Sequence, residues 1–424
     1  MLRIREWIGF SHDLMNNSTI IKDKQYYRFC IYGFLKNLRF FEPFFIIYFM
    51  SKGISFLEIG ILYAVREIAI NLFEIPSGII ADTLGRRKTL ASSFLVYIIA
   101  FIIFYLYSSF SIFIIAMLFY ALGDAIRSGI NKAMIVDYLN RTKQNNYKVE
   151  YYGHTRSWSQ FGSAISSLTG GILLFFNKNL DAIFLFSIIP YLLDFINVLS
   201  YPKHLDEQKS KHLSTKENFN FIIRSFLQAF RSKILIHSLI NSAIYSGYYK
   251  AIKDFIQPFL KSLIISIPIF LYLTNDEKTA LFLGLIYFVI FLVNSFVSRQ
   301  ASKIENLFSS QIAFLNFTLL FGIIVGLTSG VLMEYFNSVF AVILFVIVLS
   351  IENSRKPSGV ANITDNSSSD IHAGVLSVQS QLASLFAATI MISIGFLADT
   401  FSVGIGIIIS SLVILLLYPI MRIK

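Results

Sequence analysis

The sequence predicts an all-α integral membrane protein of twelve spanning helices, arranged as two pseudo-symmetric six-helix halves with both termini in the cytoplasm. Three observations lead there. Apolar blocks of about 20 residues recur along the chain without a period-two pattern, which favours spanning helices over a barrel. Only 14% of the 424 residues are charged, against about a quarter in an ordinary soluble domain, so a bilayer is the natural solvent. Basic residues also collect in alternate loops.

That sorting disposes of the alternative raised by the net charge of +11, which in a soluble chain would suggest nucleic acid. With the N-terminus inside, 21 Lys and Arg fall in inner segments and only Lys52, Lys178, Lys261 and Lys278 fall outside, as the positive-inside rule requires for cytoplasmic termini. No nucleic-acid partner is expected. Cys30 is the single cysteine, so no internal disulfide can form, and no metal-ligand spacing occurs. Neither a metal nor a cofactor is indicated.

Residues 1–25 are mixed and polar, lack a cleavable signal pattern, and read as a cytoplasmic segment whose Trp7, Ile8 and Phe10 suit the membrane surface. The N-terminal half, 26–202, holds spans near 26–50, 57–81, 89–108, 111–139, 151–176 and 181–202. The first carries Lys36, Arg39 and Glu42; the second carries Arg66, Glu67, Asn71 and Glu74 before Pro76. The fourth carries Asp124 and Arg127, and the fifth opens on Gly153-His154-Thr155-Arg156-Ser157 and continues through Gly162, Gly170 and Gly171, small residues suited to close helix packing. A polar stretch, 203–232, is the cytoplasmic linker, with an amphipathic helix over Phe219–Phe230. The C-terminal half, 233–424, holds spans near 235–261, 279–299, 308–333, 338–365, 373–398 and 401–421.

Internal repetition supports the two halves. Asp124, Arg127, Ala133, Ile135 and Asp137 recur as Glu352, Arg355, Ala361, Ile363 and Asp365 at one constant offset of 228. More loosely, Lys36-x-x-Arg39 before Glu42-Pro43-Phe44 answers Lys250-x-x-Lys253 before Gln257-Pro258-Phe259.

Between spans two and three stands Gly78-Ile79-Ile80-Ala81-Asp82-Thr83-Leu84-Gly85-Arg86-Arg87-Lys88. Gly78 permits close helix approach, Gly85 a tight turn, and the basic run anchors the loop on the cytoplasmic side. This stretch resembles the loop signature of the major facilitator superfamily of secondary transporters, and the helix count, central linker and termini extend the resemblance over nearly the whole chain. It implies that Gly78, Asp82, Gly85 and Arg86, with Asp137 closing span four, form a gating network that stabilises the outward-facing state. The second half offers only Ser298–Lys303 at the corresponding loop, and an echo at Gly395-Phe396-Leu397-Ala398-Asp399 reads as chance.

Charges inside spans carry the functional signal, since each costs roughly 2.5–3.5 kcal/mol at the bilayer centre unless it meets water or a partner. Lys36, Arg39 and Glu42 recur every three residues and so share one helix face. The resemblance implies that spans one and seven line a central cavity, which makes Lys36, Arg39, Lys250 and Lys253, with Arg127 and Arg355 on spans four and ten, the candidate substrate-binding residues. Four cations around one chamber point to an organic anion. The competing reading is that each neutralises an acid, Glu42 for Arg39 and Asp254 for a span-seven lysine. Glu42, Glu67 and Asp124 are the candidate proton carriers; the competing reading pairs Glu67 with an arginine such as Arg127. Asp124/Arg127 and Glu352/Arg355 lie one turn apart, within reach of an intrahelical pair, and Pro357 with Gly359 interrupts span ten beside them.

The leading reading is a secondary active transporter, symporter or antiporter, moving a small solute, an organic anion, across a bacterial inner membrane by alternating access, with protons as coupling ion and a monomer as the working form. A multidrug/proton antiporter is the runner-up; a membrane-embedded transferase or a non-transporting receptor are the readings of other classes. The chain is not expected to be an enzyme: the histidines form no catalytic cluster and no phosphate-binding loop is present.

Overall fold

The computed structural model describes residues 20–144, 148–206, 232–268, 270, 272–367 and 372–424, and within these every regular element is helical. Most of the N-terminal segment and the linker region with its amphipathic stretch lie outside the described residues.

The helices are α1 (Lys24–Leu35), a 3-10 turn (Glu42–Phe44), α2 (Phe45–Ser51), α3 (Phe56–Leu84), α4 (Arg86–Leu106), α5 (Phe110–Arg141), α6 (Lys148–Asn177), α7 (Ala182–Leu199), α8 (Lys233–Phe255), α9 (Gln257–Ser266), α10 (Asn275–Glu305), α11 (Gln311–Phe336), α12 (Val339–Asp365), α13 (His372–Thr400) and α14 (Val403–Met421). Eight of these, α4 to α7, α10, α11, α13 and α14, contain stretches long and apolar enough to cross a membrane. The long helices outside that set, α3, α8 and α12, carry the intramembrane charges Arg66 and Glu67, Lys250 to Asp254, and Glu352 to Lys356.

Local sequence sets the ends. Ser55 accepts from the Glu58 N–H while the Glu58 side chain returns to the Ser55 N–H, a reciprocal cap that starts α3; Thr274 and Glu277 start α10 in the same way. Gly85, at φ 90°, makes the turn between α3 and α4 in a region that a side chain disfavours.

Spans one and seven are not the continuous helices expected from the sequence. α1 stops at Leu35, and residues 36–41 run as irregular turns into the 3-10 turn at Glu42. Pro43 cannot donate to the Arg39 carbonyl and crowds it, so no helix runs on through Glu42, and nearer the break the Asn37 side chain takes the Gly33 carbonyl that a continuing helix would use. Lys36, Arg39 and Glu42 therefore do not share a helix face. Likewise α8 ends at Phe255 and α9 begins at Gln257-Pro258. Pro357, by contrast, sits inside an unbroken α12, so span ten is not interrupted.

Glycines bring the helices together. A Cβ on Gly284 of α10 would lie 2.7 Å from the Ser167 carbonyl of α6, and one on Gly171 would lie 2.6 Å from the Ala280 carbonyl. Gly162 and Gly170 admit the backbone at Phe34 and Phe40 in the same manner. The echo at Gly395–Asp399 has a structural task rather than being idle: Asp399 accepts from both the Phe56 and Leu57 N–H groups at 2.8 Å, capping α3, while Gly395 admits the Phe56 carbonyl. Inside, Phe94, Tyr97 and Phe101 pack around the buried Tyr191, which fixes a polar tip in the bundle. Outside, Leu72, Phe176, Phe296 and Leu416 turn large apolar side chains away from the protein, the surface a bilayer requires.

Candidate functional site

Where the helices break, charges meet. A closed cavity of about 150 Å³ is lined by Arg39, Glu42, Arg66, Glu67, Asp124, Lys253 and Asp254, with Tyr63 and Tyr120 between them. The irregular 36–41 segment aims Arg39 inward: its Nε donates to the Tyr191 hydroxyl at 2.9 Å and its Nη2 to Asp124 Oδ1 at 3.2 Å. Asp124 also accepts from Arg127 Nη2 at 2.9 Å and from the Tyr97 hydroxyl at 2.5 Å. The Arg39 guanidinium lies 5.3 Å from the Tyr120 ring centre, a cation over an aromatic face.

Two further pairs join residues far apart in sequence. Lys253 Nζ donates to Glu42 Oε1 at 2.6 Å, and Lys250 Nζ donates to Glu67 Oε2 at 2.6 Å. Glu67 also accepts from Arg66 at 3.2 Å and from the Ser384 hydroxyl of α13 at 3.1 Å. Gln257 strengthens the seam: its amide donates to the Glu42 carbonyl at 3.0 Å and its oxygen accepts from the Ile46 N–H at 2.9 Å. The pairing reading is thus realised with other partners than the sequence suggested. Glu42 pairs with Lys253, Arg39 with Asp124, and Glu67 with Lys250 and Arg66 rather than with Arg127.

A wider cavity of about 660 Å³ lies between α1, α5 and α6 and reaches the exposed Gly153 and Arg156. Lys36, Arg127 and Arg156 line it together with Asn37, Asn131, Thr155 and Gln160, and no carboxylate appears among its described lining residues. Lys36 Nζ sits 5.0 Å from the Tyr32 ring centre.

Arg355 belongs to neither cavity. It is buried, donating to Asn241 Oδ1 at 2.6 Å and to the Leu315 carbonyl at 3.3 Å, with its guanidinium 4.6 Å from the Tyr245 ring centre. Glu352 instead accepts from Ser246 at 2.6 Å, so the expected intrahelical pair forms at Asp124/Arg127 and not at its sequence repeat. Glu74, on the Glu67 face of α3, is exposed.

Arg86 and Asp137 form an ion pair at the start of α4 and the end of α5, as expected of the signature loop. The surroundings of Gly78 and of the Asp82 side chain lie outside what is described. Arg87 has a role the sequence reading missed: its N–H donates to Asp206 Oδ1 at 2.7 Å and its Nε meets Asp206 Oδ2 at 3.1 Å. Tyr97, Tyr120 and Tyr191 were also missed as site residues, because nothing in a sequence with 22 tyrosines separates those that meet charge from those that only pack.

A helical bundle with an apolar outer surface, an internal charge cluster and a polar cavity between its helices has the make-up of a membrane transport protein. The sequence profile described as Major Facilitator Superfamily matches residues 29–354, and the chain belongs to that superfamily: it is a multi-pass plasma-membrane transporter, not an enzyme. It is 34% identical over 157 residues, 37% of this chain and 38% of the relative, to the uncharacterized MFS-type transporter YxaM of Bacillus subtilis (strain 168). It is 29% identical over 137 residues, 30% of this chain and 32% of the relative, to the sucrose permease of Escherichia coli. The matched stretches thus span well under two thirds of either relative. In fold it resembles the crystal structure of the nucleoside transporter NupG, with a TM-score of 0.75 at 15% identity over 94% of this chain and 99% of that one. A POT family transporter in complex with 5-aminolevulinic acid gives 0.67 at 18% identity, over 93% of each chain.

Proposed function

We propose that the chain is a twelve-span, monomeric secondary transporter with cytoplasmic termini, whose halves 26–202 and 233–424 rock about the central cavities to move a small organic anion, coupled to protons. One observation carries the anion: the wide cavity is lined by Lys36, Arg127 and Arg156 with no carboxylate among its described lining residues. Cationic side chains lining a cavity are what an anionic solute would find favourable. The same lining counts against a multidrug exporter, since a cationic drug would meet repulsion there.

The closed cavity acts as the gate beyond it. Lys253–Glu42 and Lys250–Glu67 tie residues of the two halves together, so opening this region must separate charges that are stable only while paired. The end bearing Lys24, Arg86 and Arg141 is the cytoplasmic one by the basic-residue rule, which makes the wide cavity inward-facing.

A neutral, hydroxyl-rich solute is the second reading. It is favoured by the engagement of Arg127 with Asp124 and by the neutral amides and hydroxyls of Asn37, Asn131, Thr155 and Gln160. The sucrose permease and the nucleoside transporter named above suit it.

Binding to the purified protein separates the two readings. Thermal stabilisation in detergent is measured with a panel of organic anions, sugars and nucleosides. Stabilisation by an anion that disappears in Lys36→Gln supports the first reading; stabilisation by a sugar or nucleoside that survives in Lys36→Gln replaces it with the second.

A further inference from the structure

We infer that Asp254 of α8 is the carboxylate that takes up and releases the coupling proton, in place of Glu42, Glu67 and Asp124. The inference rests on the proton-coupled reading above.

Four carboxylates line the closed cavity. Three have cations of their own: Asp124 meets Arg39 at 3.2 Å and Arg127 at 2.9 Å, Glu67 meets Lys250 at 2.6 Å and Arg66 at 3.2 Å, and Glu42 meets Lys253 at 2.6 Å. Asp254 is the fourth. It is 7% exposed, forms no ion pair among the described residues, and its Oδ1 meets no hydrogen-bond donor there. An ionised carboxylate in such a place is costly, and neutralisation by a proton removes the cost.

The surroundings explain how that proton would be felt. The charged and titratable groups that act on Asp254 are Lys253 and Tyr249 on its own helix, Arg66, Glu67 and Tyr63 on α3, Glu42 in the 3-10 turn, and Tyr287 on α10. The two nearby cations, Lys253 and Arg66, are already held by Glu42 and Glu67. When Asp254 loses its proton to the cavity water, its charge competes for both cations and repels both acids. The cross-half Lys253–Glu42 pair loosens, and so does the Arg66 support of the Glu67–Lys250 pair. When Asp254 binds a proton, an O–H bond forms, the competition ends and the closed arrangement tightens. The proton is the only species gained or lost, and protonation is thereby tied to closure.

A second buried carboxylate stands apart from this cluster. Asp194 of α7 has an Oδ2 that meets no donor among the described residues, but its Oδ1 accepts from Asn197 at 3.1 Å and it borders neither the closed nor the wide cavity.

The test needs no substrate: an empty solute screen would count against the anion reading and leave this measurement untouched. Infrared spectra of the purified full-length protein at neutral pH are recorded for the wild type, Asp254→Asn and Asp254→Glu. The expected result is a carbonyl band of protonated carboxylic acids that loses one residue's worth of intensity in Asp254→Asn and regains it, shifted in frequency, in Asp254→Glu. An unchanged band in Asp254→Asn overturns the assignment. Should Asp254→Asn not fold, an unshifted band in Asp254→Glu does the same.

Discussion

Lys250 Nζ and Glu67 Oε2 stand 2.6 Å apart although 183 positions separate them in the chain, and Ser384 of a third helix bonds to both. Three helices are thereby fastened at one buried carboxylate. Lys250→Gln leaves Glu67 with one cation, Arg66, among the described residues, and the unfolding midpoint in detergent should fall by an amount equivalent to about 1–3 kcal/mol, between the values for exposed and fully buried pairs. In the double variant Lys250→Gln/Glu67→Gln the loss should be smaller than the sum of the two single losses, because Glu67→Gln by itself already removes the Lys250 pair. Simple addition of the two losses would mean that the pair is not coupled.

The helix seam at Gly171 and Gly284 predicts a steric effect instead. Gly284→Ala places a methyl 2.7 Å from a backbone carbonyl that cannot turn aside, so a loss of about 1–3 kcal/mol is expected from overpacking. Gly153→Ala meets nothing within 4 Å and serves as the comparison, with no comparable loss expected. Equal behaviour of the two in thermal unfolding would mean that α6 and α10 are not packed this closely in the membrane.

Asp23 secures the start of α1 from two sides, accepting from its own Tyr26 N–H at 2.8 Å and from the Tyr138 hydroxyl of α5 at 2.5 Å. Tyr138→Phe deletes a hydrogen bond to a charged group, worth about 1.5–3 kcal/mol. Cys30, fully buried on α1, reports on the consequence. Its modification by a maleimide should speed up about tenfold or more in Tyr138→Phe, since each 1.4 kcal/mol is tenfold in an opening equilibrium. An unchanged rate would show that the contact does not hold α1 in place.

The sequence revealed the architecture better than the pairing. Apolar blocks and basic loops are local signals, and they led to a helical bundle and to the superfamily that the comparisons establish. The Arg86–Asp137 pair joins Arg86, which follows Gly85 at the start of α4, to Asp137 near the end of α5, both helix ends that the sequence marks. Partners such as Glu42 and Lys253, 211 positions apart, leave no periodic trace, and only the fold brings them together. The break after Leu35 was signalled only by Pro43, eight residues further on, and the apolar block that follows Pro43 hid the signal. The repeat that joins Asp124/Arg127 to Glu352/Arg355 is sound as sequence and misleading as chemistry. Asn241, Leu315 and Tyr245 surround Arg355 and take the role that a carboxylate fills for Arg127.

The signature turn offers a separate check. Asp206 receives both the N–H and the guanidinium of Arg87, and a Cβ on Gly85 would approach Asp206 Oδ1 at 3.1 Å while the backbone holds φ at 90°. Gly85→Val should therefore cost more stability than Asp206→Asn, which keeps one acceptor for the Arg87 N–H and loses only a partly exposed charge. The reverse order in thermal unfolding would mean that the ion pair, not the turn, organises this loop.

The cation-lined cavity is the centre of the account, and transport tests it most directly. Wild-type protein and Lys36→Gln are reconstituted in liposomes, a pH gradient is imposed, and uptake of organic anions, sugars and nucleosides is followed side by side. The account predicts gradient-driven uptake of an organic anion by the wild type and its loss in Lys36→Gln. Uptake of a sugar or nucleoside, equal in both proteins, would contradict it.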